Sequence, residues 1–166
     1  MSTFNHNAVV FDLDGTLSCG KHRLHLIPSN VDKNKTEAWD EFNMACDGDA
    51  PIVDNIELLN ALNRIYRVII LTGRNEIARD KTERWLKANG VNCDPLLIMR
   101  GRSDHRKDVD FKESVLNELK SSGYKVLCCF DDLEHVVKHI RAMGITCHQV
   151  THYDNPTLAE KDHRED

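Results

Sequence analysis

Two aspartates stand close together near the start of the chain, where paired carboxylates could carry out chemistry. Asp12 and Asp14 follow the apolar residues 8–11 and directly precede Gly15. In an extended segment the side chains alternate between two faces, so residues two positions apart share a face. Two carboxylates on one face can divide the work of a nucleophile and a general acid or base.

Two further polar groups follow apolar runs later in the chain. Thr72 follows residues 68–71, and the acidic pair Asp131 and Asp132 follows residues 126–130. If these runs are parallel strands, their carboxyl ends lie along one edge of a sheet, where ligands bind. A single Asp-Gly pair is more often an ordinary turn, but four converging aspartates would repel one another strongly. A divalent cation with a preference for oxygen ligands relieves that repulsion, so the predicted cofactor is Mg²⁺.

The pattern of apolar residues indicates which elements position these groups. Three amphipathic segments each lead through a glycine into a short apolar run, which is typical of a helix followed by a strand. The predicted helices span residues 75–89, 108–122 and 133–143. The predicted strands span residues 8–11, 68–71, 96–99, 126–130 and 145–150. Continuous apolar strands are buried on both faces, so we predict an α/β fold with a doubly wound parallel sheet of about five strands.

Chain length predicts a single catalytic domain. A chain of 166 residues is long enough to bury a hydrophobic core without disulfide or metal crosslinks. We predict that this domain spans residues 1–151 and that residues 18–53 form a small lid inserted into it. Residues 152–166 are polar and charged, and we predict a C-terminal tail there.

Composition argues against several classes of protein. No apolar run approaches the roughly 20 residues that cross a bilayer, so we expect no contact with a membrane. The net charge of -5 argues against long tracking along nucleic-acid phosphates, which needs a basic surface. The N-terminus lacks the pattern of a secretory signal, and the six cysteines show no CxxC spacing. We therefore predict a cytoplasmic protein with reduced thiols.

Four motifs in this order resemble those of the haloacid-dehalogenase-like (HAD) phosphatases. They are the run Asp12-Leu-Asp-Gly-Thr, Thr72 at a strand end, Lys112 in a helix, and the pair Asp131-Asp132. The motifs and their spacing cover residues 8–150, which is nearly the whole chain. The resemblance implies the sheet described above, with a minimal cap. It also implies phosphatase chemistry, because dehalogenases of this superfamily lack an acid at the position of Asp14.

The resemblance further implies a role for each aspartate. Asp12 would attack phosphorus and become an aspartyl phosphate, and Asp14 would protonate the leaving oxygen before deprotonating the hydrolytic water. Asp12, the main-chain carbonyl of Asp14, and one or both of Asp131 and Asp132 would hold Mg²⁺. Which member of that last pair binds the ion directly stays open.

Two other residues are implied to stabilise the phosphoryl group. Thr72 would hydrogen-bond its oxygens, and Lys112 would neutralise the charge that develops on them. Lys107 competes with Lys112 for this role, but Lys112 adjoins Phe111 in a helix whose apolar face is expected to meet the sheet.

A closer similarity is to the phosphatase domain of bacteriophage polynucleotide kinase. In that domain an arginine lies nine positions past the second aspartate of the first motif, and an Arg-Lys-Asp triplet precedes the lysine. Arg23 and the triplet at 106–108 occupy those positions. The predicted substrate-binding residues are Arg23, Thr16, Gly73, Arg74, Arg106 and Asp108. The predicted substrate is a 3'-phosphorylated nucleic-acid end or nucleotide, and no kinase domain is expected because the GxxxxGK[ST] motif is missing from the chain.

Two other functions stay open. A 5'(3')-deoxyribonucleotidase of the same superfamily acts on mononucleotides and would show the same four motifs. A non-catalytic module that binds phosphorylated ends would be expected to lose Asp12 or Asp14, and both are present. Trp39 and Phe42 in the lid would either stack on a base or attach the lid to the body. Basic residues are expected in two banks around the cleft: Lys21, His22, Arg23 and His25 in one, and Arg100, Arg102, His105 and Arg106 in the other.

Overall fold

The structure is a computed structural model that describes residues 6–150, so the predicted tail at 152–166 lies outside the described residues. Its strands are β1 (Asn7–Phe11), β2 (Ser18–Cys19), β3 (Ala50–Pro51), β4 (Arg67–Asn75), β5 (Leu96–Arg100), β6 (Lys125–Asp131) and β7 (Cys147–Gln149). Its α-helices are α1 (Asp40–Met44), α2 (Val53–Leu62), α3 (Arg79–Ala88), α4 (Asp108–Ser121) and α5 (Glu134–Ala142).

The central sheet has five strands in the order β5-β4-β1-β6-β7, and every neighbouring pair is parallel. The predicted α/β fold with a parallel sheet is therefore confirmed. Strand β1 lies in the middle, between β4 and β6, so its carboxyl end adjoins the ends of the two strands that carry the other predicted motifs. The sheet thus supplies the common edge that the sequence pattern requires.

Helices cover both faces of this sheet, which explains why its strands are continuously apolar. Ala8 and Val10 of β1 face a core built with α4 and α5. Val9 and Phe11 face a second core built with α2 and α3. Side chains that alternate along one strand therefore enter two separate cores, and neither face is left polar.

Three differences from the predicted elements have identifiable causes. Strand β4 continues past residue 71 to Asn75, with an irregularity in its pairing with β5 between Thr72 and Asn75. Consequently α3 begins at Arg79, after a short 3₁₀ segment (Glu76–Ala78), rather than at residue 75. Helix α2 was not predicted; only Ile56 and Leu59 of its apolar residues are buried, so its amphipathic pattern is weak.

Residues 18–51 form an insertion between β1 and α2. Its two ends pair as the short antiparallel ribbon of β2 and β3, and between them lie α1 and three 3₁₀ segments (Lys21–Leu26, Thr36–Trp39 and Cys46–Gly48). Polar contacts attach the insertion to the body: Arg102 pairs with Asp40 at 3.1 Å, and the Trp85 indole donates to the Asp49 carbonyl at 2.8 Å. The insertion is therefore held against the sheet edge.

Within residues 6–150, every helix is too short or too polar to cross a membrane.

Candidate active site

Three buried carboxylates meet where β1 and β6 end. Asp12 directly follows β1, and its amide donates to the carbonyl of Phe130 at 2.9 Å, which fixes it beside Asp131 at the end of β6. Asp12, Asp131 and Asp132 each offer an oxygen, and these oxygens lie within 4.8 Å of one another. We call these three residues the acidic group. Oxygen donors at this spacing suit a hard divalent cation.

Lys112 directly contacts two members of the acidic group. Its Nζ lies 3.0 Å from Oδ1 of Asp12 and 2.6 Å from Oδ2 of Asp131. The preceding Phe111 is buried in the core against β1 and β4, which places this turn of α4 at the sheet edge. Burial opposes the charge of Lys112, but Asp12 and Asp131 outweigh burial and hold its pKa well above the usual value. Lys107, the competing residue, is exposed.

Each carboxylate oxygen of Asp131 accepts a hydrogen bond. Its Oδ1 accepts a hydrogen bond from the amide of Leu133 at 3.0 Å, and its Oδ2 accepts from Lys112. Burial raises the pKa of Asp131; Lys112 opposes that rise, and the nearby Asp132 adds to it. Asp131 and Asp132 both lie in the acidic group, so both stay candidate metal ligands.

Asp14 faces a different set of partners. Its Oδ1 accepts from Nη2 of Arg23 at 2.5 Å and from Nη2 of Arg74 at 2.7 Å. Thr72 lies within reach of its Oδ2 at 3.5 Å and also accepts from the Arg74 amide. The side chain of Asp14 is 22% exposed, so it is the more accessible of the two motif aspartates. Its carboxylate points to the arginines and not into the acidic group.

Sequence reasoning missed Asp49, which joins the two arginines. Its buried carboxylate accepts from Nε of Arg23 at 2.7 Å and from Nη2 of Arg74 at 3.1 Å. We call Asp14, Arg23, Arg74 and Asp49 the arginine group. Asp49 lies in the insertion with no motif around it, and the one signal for its role would have been a buried carboxylate near an arginine pair. Its contact with Arg74 forms only when the insertion packs against the body of the protein.

Both arginines keep their charge although they are buried. Burial alone would lower the pKa of Arg23, but Asp14 and Asp49 outweigh burial and raise it. The same holds for Arg74, where Asp14 supplies the largest favourable contribution. Two permanent, pre-oriented cations therefore hold the carboxylate of Asp14, and Arg74 also lines the cavity.

Asp108 and Gly73 lie against each other at the mouth of the site. A Cβ at residue 73 would approach Oδ1 of Asp108 to 2.5 Å, so only glycine permits this contact. Arg100, predicted as part of a basic bank, is instead buried and donates to Asp108 at 2.5 Å and to the carbonyl of Gly73. Its guanidinium also lies over the ring of Phe111. Arg100 therefore holds Gly73 and Asp108 in place from inside the protein.

Three predicted substrate-binding residues do not line the cavity. Arg23 is fully buried and lies behind Asp14, whose carboxylate it contacts. Thr16 is completely buried and does not line the cavity; its carbonyl accepts from Asn55 at 2.7 Å. Arg106 is exposed and pairs with Asp104 at 2.6 Å. The Arg-Lys-Asp triplet thus contributes Asp108 to the cavity, whereas Arg106 points to the outer surface.

One cavity joins the acidic group and the arginine group. Asp12, Asp14, Thr72, Gly73, Arg74, Asp108 and Lys112 line it together with residues of the insertion and with Leu133 and His135. Its empty volume is about 830 Å³, counting the part that is open to solvent. Both motif aspartates and two cations, Lys112 and Arg74, therefore line one accessible space.

The model of the polynucleotide kinase PNKP phosphatase domain, a HAD family, matches residues 6–155. The chain belongs to this family. It is accordingly a HAD-type phosphatase, a phosphoric monoester hydrolase. No curated protein shows a significant match to the chain.

Solved structures support the same family and fold. A chain in the structure of a Pnkp1/Rnl/Hen1 complex is 31% identical, with a TM-score of 0.70 over 92% of this chain and 48% of that one. A chain in the Pnkp1/Rnl/Hen1 RNA repair complex is also 31% identical, with a TM-score of 0.71 over 93% of this chain and 45% of that one. This chain thus spans less than half the length of either protein.

A more distant HAD family enzyme from Bacteroides thetaiotaomicron, in complex with magnesium and inorganic phosphate, shares the fold. It is 13% identical, with a TM-score of 0.52 over 92% of this chain and 98% of that one.

Proposed function

We propose that the chain is a Mg²⁺-dependent phosphatase that removes the phosphate from 3'-phosphorylated nucleic-acid ends or nucleotides. The observation that carries this proposal is the division of the two motif aspartates between different partners. Asp12 lies in the acidic group beside Lys112, and Asp14 lies in the arginine group, yet both line one cavity. A nucleophile and a proton-transfer group need different positions, one next to phosphorus and the other next to the leaving oxygen, and we assign Asp12 to the first and Asp14 to the second.

The residues of the acidic group fit Mg²⁺. The three carboxylates together with Lys112, which contacts Asp12 and Asp131, carry a formal charge of -2 in a buried space. A divalent cation balances that charge, and its remaining coordination positions would be open to phosphate oxygens or water. The ligands would be Asp12 and one or both of Asp131 and Asp132, with the carbonyl of Asp14. When bound, the ion lowers the negative charge that an incoming phosphate monoester meets.

The reaction that this arrangement supports has two steps. In the first, an oxygen of Asp12 forms a bond to phosphorus, the ester P–O bond breaks, and Asp14 gives a proton to the leaving 3'-oxygen. In the second, Asp14 takes a proton from water, the water oxygen attacks phosphorus, and the bond to Asp12 breaks to release inorganic phosphate. Splitting one displacement in this way allows a single carboxyl group to act first as acid and then as base.

Cations on both sides of the cavity would stabilise the transferring group. Lys112 adjoins the oxygen of Asp12 that would attack, and Arg74 lines the same cavity from the other side. Arg23 shares the carboxylate of Asp14 with Arg74. Fixed positive groups placed where charge develops need no reorganisation during the reaction, and each can contribute a few kcal/mol.

The 3' end is favoured as substrate by the family and by Arg23. The family is that of polynucleotide kinase phosphatase domains, and the related chains belong to complexes of which one is described as an RNA repair complex. Arg23, placed by its spacing from Asp14, does reach that aspartate. The surrounding insertion is small, at residues 18–51, and leaves the cavity open to solvent.

The net charge of -5 favours a second candidate, a 5'(3')-deoxyribonucleotidase that acts on mononucleotides. A mononucleotide presents one phosphate, so a protein that binds it needs no extended basic surface. The cavity and the two charged groups would serve either substrate.

Phosphate release from matched substrates separates the two candidates. We expect 3'-phosphorylated oligonucleotides and 3'-mononucleotides to be hydrolysed, and 5'-mononucleotides to be poor substrates, at equal concentration, salt and Mg²⁺. The Asp12→Asn variant serves as the blank for contaminating phosphatases. A clear preference for 5'-mononucleotides would overturn the 3'-end proposal in favour of the nucleotidase.

A further inference from the structure

The side of the cavity formed by the insertion is mostly apolar, with Asn43 as a polar residue beside the apolar ones. Leu24, Ile27, Trp39 and Phe42 line it, and Leu133 continues it from the body. We call these five residues the apolar wall. They line the same cavity as Asp12 and Lys112, so a substrate whose phosphate lies on Asp12 extends along this wall. The chemistry described above uses none of the five side chains.

The wall selects for the chemistry of the group that carries the phosphate. A sugar phosphate would bring several hydroxyl groups that need hydrogen-bond partners, and apolar side chains cannot provide them. A nucleobase brings a flat face that stacks on aromatic side chains regardless of base identity. The apolar wall therefore fits a nucleoside phosphate better than a sugar phosphate.

The two aromatic residues of the wall have different surroundings. One face of Phe42 is covered by the guanidinium of Arg23, 4.1 Å from the ring centre, and the Phe42 carbonyl accepts from the same arginine at 3.0 Å. Trp39 meets Phe42 edge to face at 5.6 Å, and its indole N–H donates to the carbonyl of Lys33 at 2.9 Å. Phe42 thus supports Arg23, whereas Trp39 is held in a fixed orientation at the cavity. A fixed aromatic ring loses little conformational freedom when a base stacks on it.

We propose that the apolar wall binds the base of the nucleotide that carries the scissile phosphate, with Trp39 as its stacking residue. This inference rests on the proposed function in that it takes the substrate to be a nucleotide or nucleic-acid end. It adds that the terminal base, and not only the phosphate, is recognised. Base identity should matter little, because stacking uses the face of the ring and not its hydrogen-bonding edge.

Matched substrates with and without the base test this proposal. One pair is a 3'-phosphorylated oligonucleotide with an ordinary terminal nucleotide and the same oligonucleotide with an abasic terminal residue. A second pair is a 5'-mononucleotide and ribose 5-phosphate. In whichever pair the wild-type protein hydrolyses, we expect kcat/KM to be about tenfold higher for the base-containing member. A tenfold difference is what the stacking of one base would provide.

The variant Trp39→Leu keeps an apolar side chain but removes the ring. We expect it to reduce that preference to about twofold or less, mainly by lowering kcat/KM for the base-containing member, and circular dichroism shows whether the variant folds. Leu24→Ala should reduce the preference partly, and Val31→Ala, at a site that is 86% exposed in the same insertion, should leave it unchanged.

The outcomes of the two proposals are distinguishable. If both 3'-phosphorylated oligonucleotides are hydrolysed equally well by wild-type protein, the wall does not bind the base, and the proposed 3'-phosphatase function stands. If only the 5' pair is hydrolysed, the 3'-end proposal fails, and the base preference within that pair decides on the wall. A preference that survives in Trp39→Leu overturns the role of Trp39.

Discussion

The acidic group and the arginine group lie on either side of one cavity, but their charges are balanced differently. The three carboxylates of the acidic group and Lys112, which contacts two of them, together carry a formal charge of -2. In the arginine group two carboxylates, Asp14 and Asp49, share two guanidinium groups, so the formal charges cancel. The comparison teaches that the first group carries an excess of negative charge, whereas the charges of the second are balanced by its own residues.

The same comparison explains why two aspartates of one short motif can have different roles. Asp12 is buried, and its Oδ1 lies 3.0 Å from Nζ of Lys112. Asp14 is partly exposed, which gives it access to the leaving group and to water. The experiments below test each group separately, beginning with the one whose loss should cost most.

Removing the nucleophile should have the largest effect. We expect Asp12→Asn to reduce phosphate release to background and to abolish the aspartyl-phosphate intermediate, because an amide cannot attack phosphorus. The amide nearly matches the carboxylate in shape and can still accept from Lys112, so circular dichroism and the unfolding temperature should stay close to wild type. Steady-state release above background by the purified variant would contradict the role of Asp12.

Removing the metal should also abolish activity, but reversibly. The acidic group lacks two positive charges, so we expect EDTA to stop turnover and added Mg²⁺ to restore it. Ca²⁺ offers a control of equal charge. We expect it to bind without supporting full activity, because its bonds to oxygen ligands are longer and its coordination geometry is more flexible than those of Mg²⁺. Full turnover in a sample shown to be free of metal would refute the charge argument.

Most of the fold, and the acidic group, follow from the sequence for physical reasons. Strands buried on both faces must be apolar throughout, and the polar residues that end them must meet at one edge, which located Asp12, Asp131 and Asp132 together. Lys112 could be chosen over Lys107 because a neighbouring phenylalanine was expected to pack on the sheet.

The arginine group was predicted only in part. The spacing of Arg23 from Asp14 was informative only through the resemblance to a family. Asp49 and the buried position of Arg100 depend on contacts between the insertion and the body, or between neighbouring loops. These contacts join residues far apart in the chain and leave no periodic pattern. Arg106 matched the expected triplet, but its nearest carboxylate, Asp104, holds it at the surface.

Arg23 and Arg106 provide a matched test on the arginine side. We expect Arg23→Ala to lower kcat by an order of magnitude or more, because Asp14 would lose a charge-assisted contact that holds it in place at the cavity. Arg106→Ala should change kcat less than about twofold, since exposed ion pairs contribute little. A loss at Arg106 as large as that at Arg23 would show that the triplet arginine reaches the substrate after all.

Asp49 should have a smaller effect that depends on Arg23. It is buried and would act as a positioning residue, so we expect Asp49→Asn to lower kcat about fivefold with less change in KM. In the Arg23→Ala background the same substitution should have little further effect, because residues in one network are not additive. Asp47→Asn, two positions away and exposed, is the control. Equal effects of Asp49→Asn with and without Arg23 would assign Asp49 a purely structural role.

The smallest expected effect concerns salt and substrate length. Several basic residues around the cleft are already paired within the protein: Arg23 and Arg74 in the arginine group, Arg100 with Asp108, and Arg102 with Asp40. Such pairs release few counterions when a nucleic acid binds, and for single strands each neutralised phosphate contributes about -0.7 to the slope of log affinity against log salt. We therefore expect a slope of about -1 for kcat/KM, and less than about a threefold gain between 4 and 20 nucleotides.

A 3'-mononucleotide measured in parallel removes the contribution of the scissile phosphate. If the oligonucleotide slope exceeded that of the mononucleotide by about 3 or more, the substrate would contact a chain of phosphates beyond the cavity, and the surface basic residues Lys21, His22 and His25 would be the first to substitute.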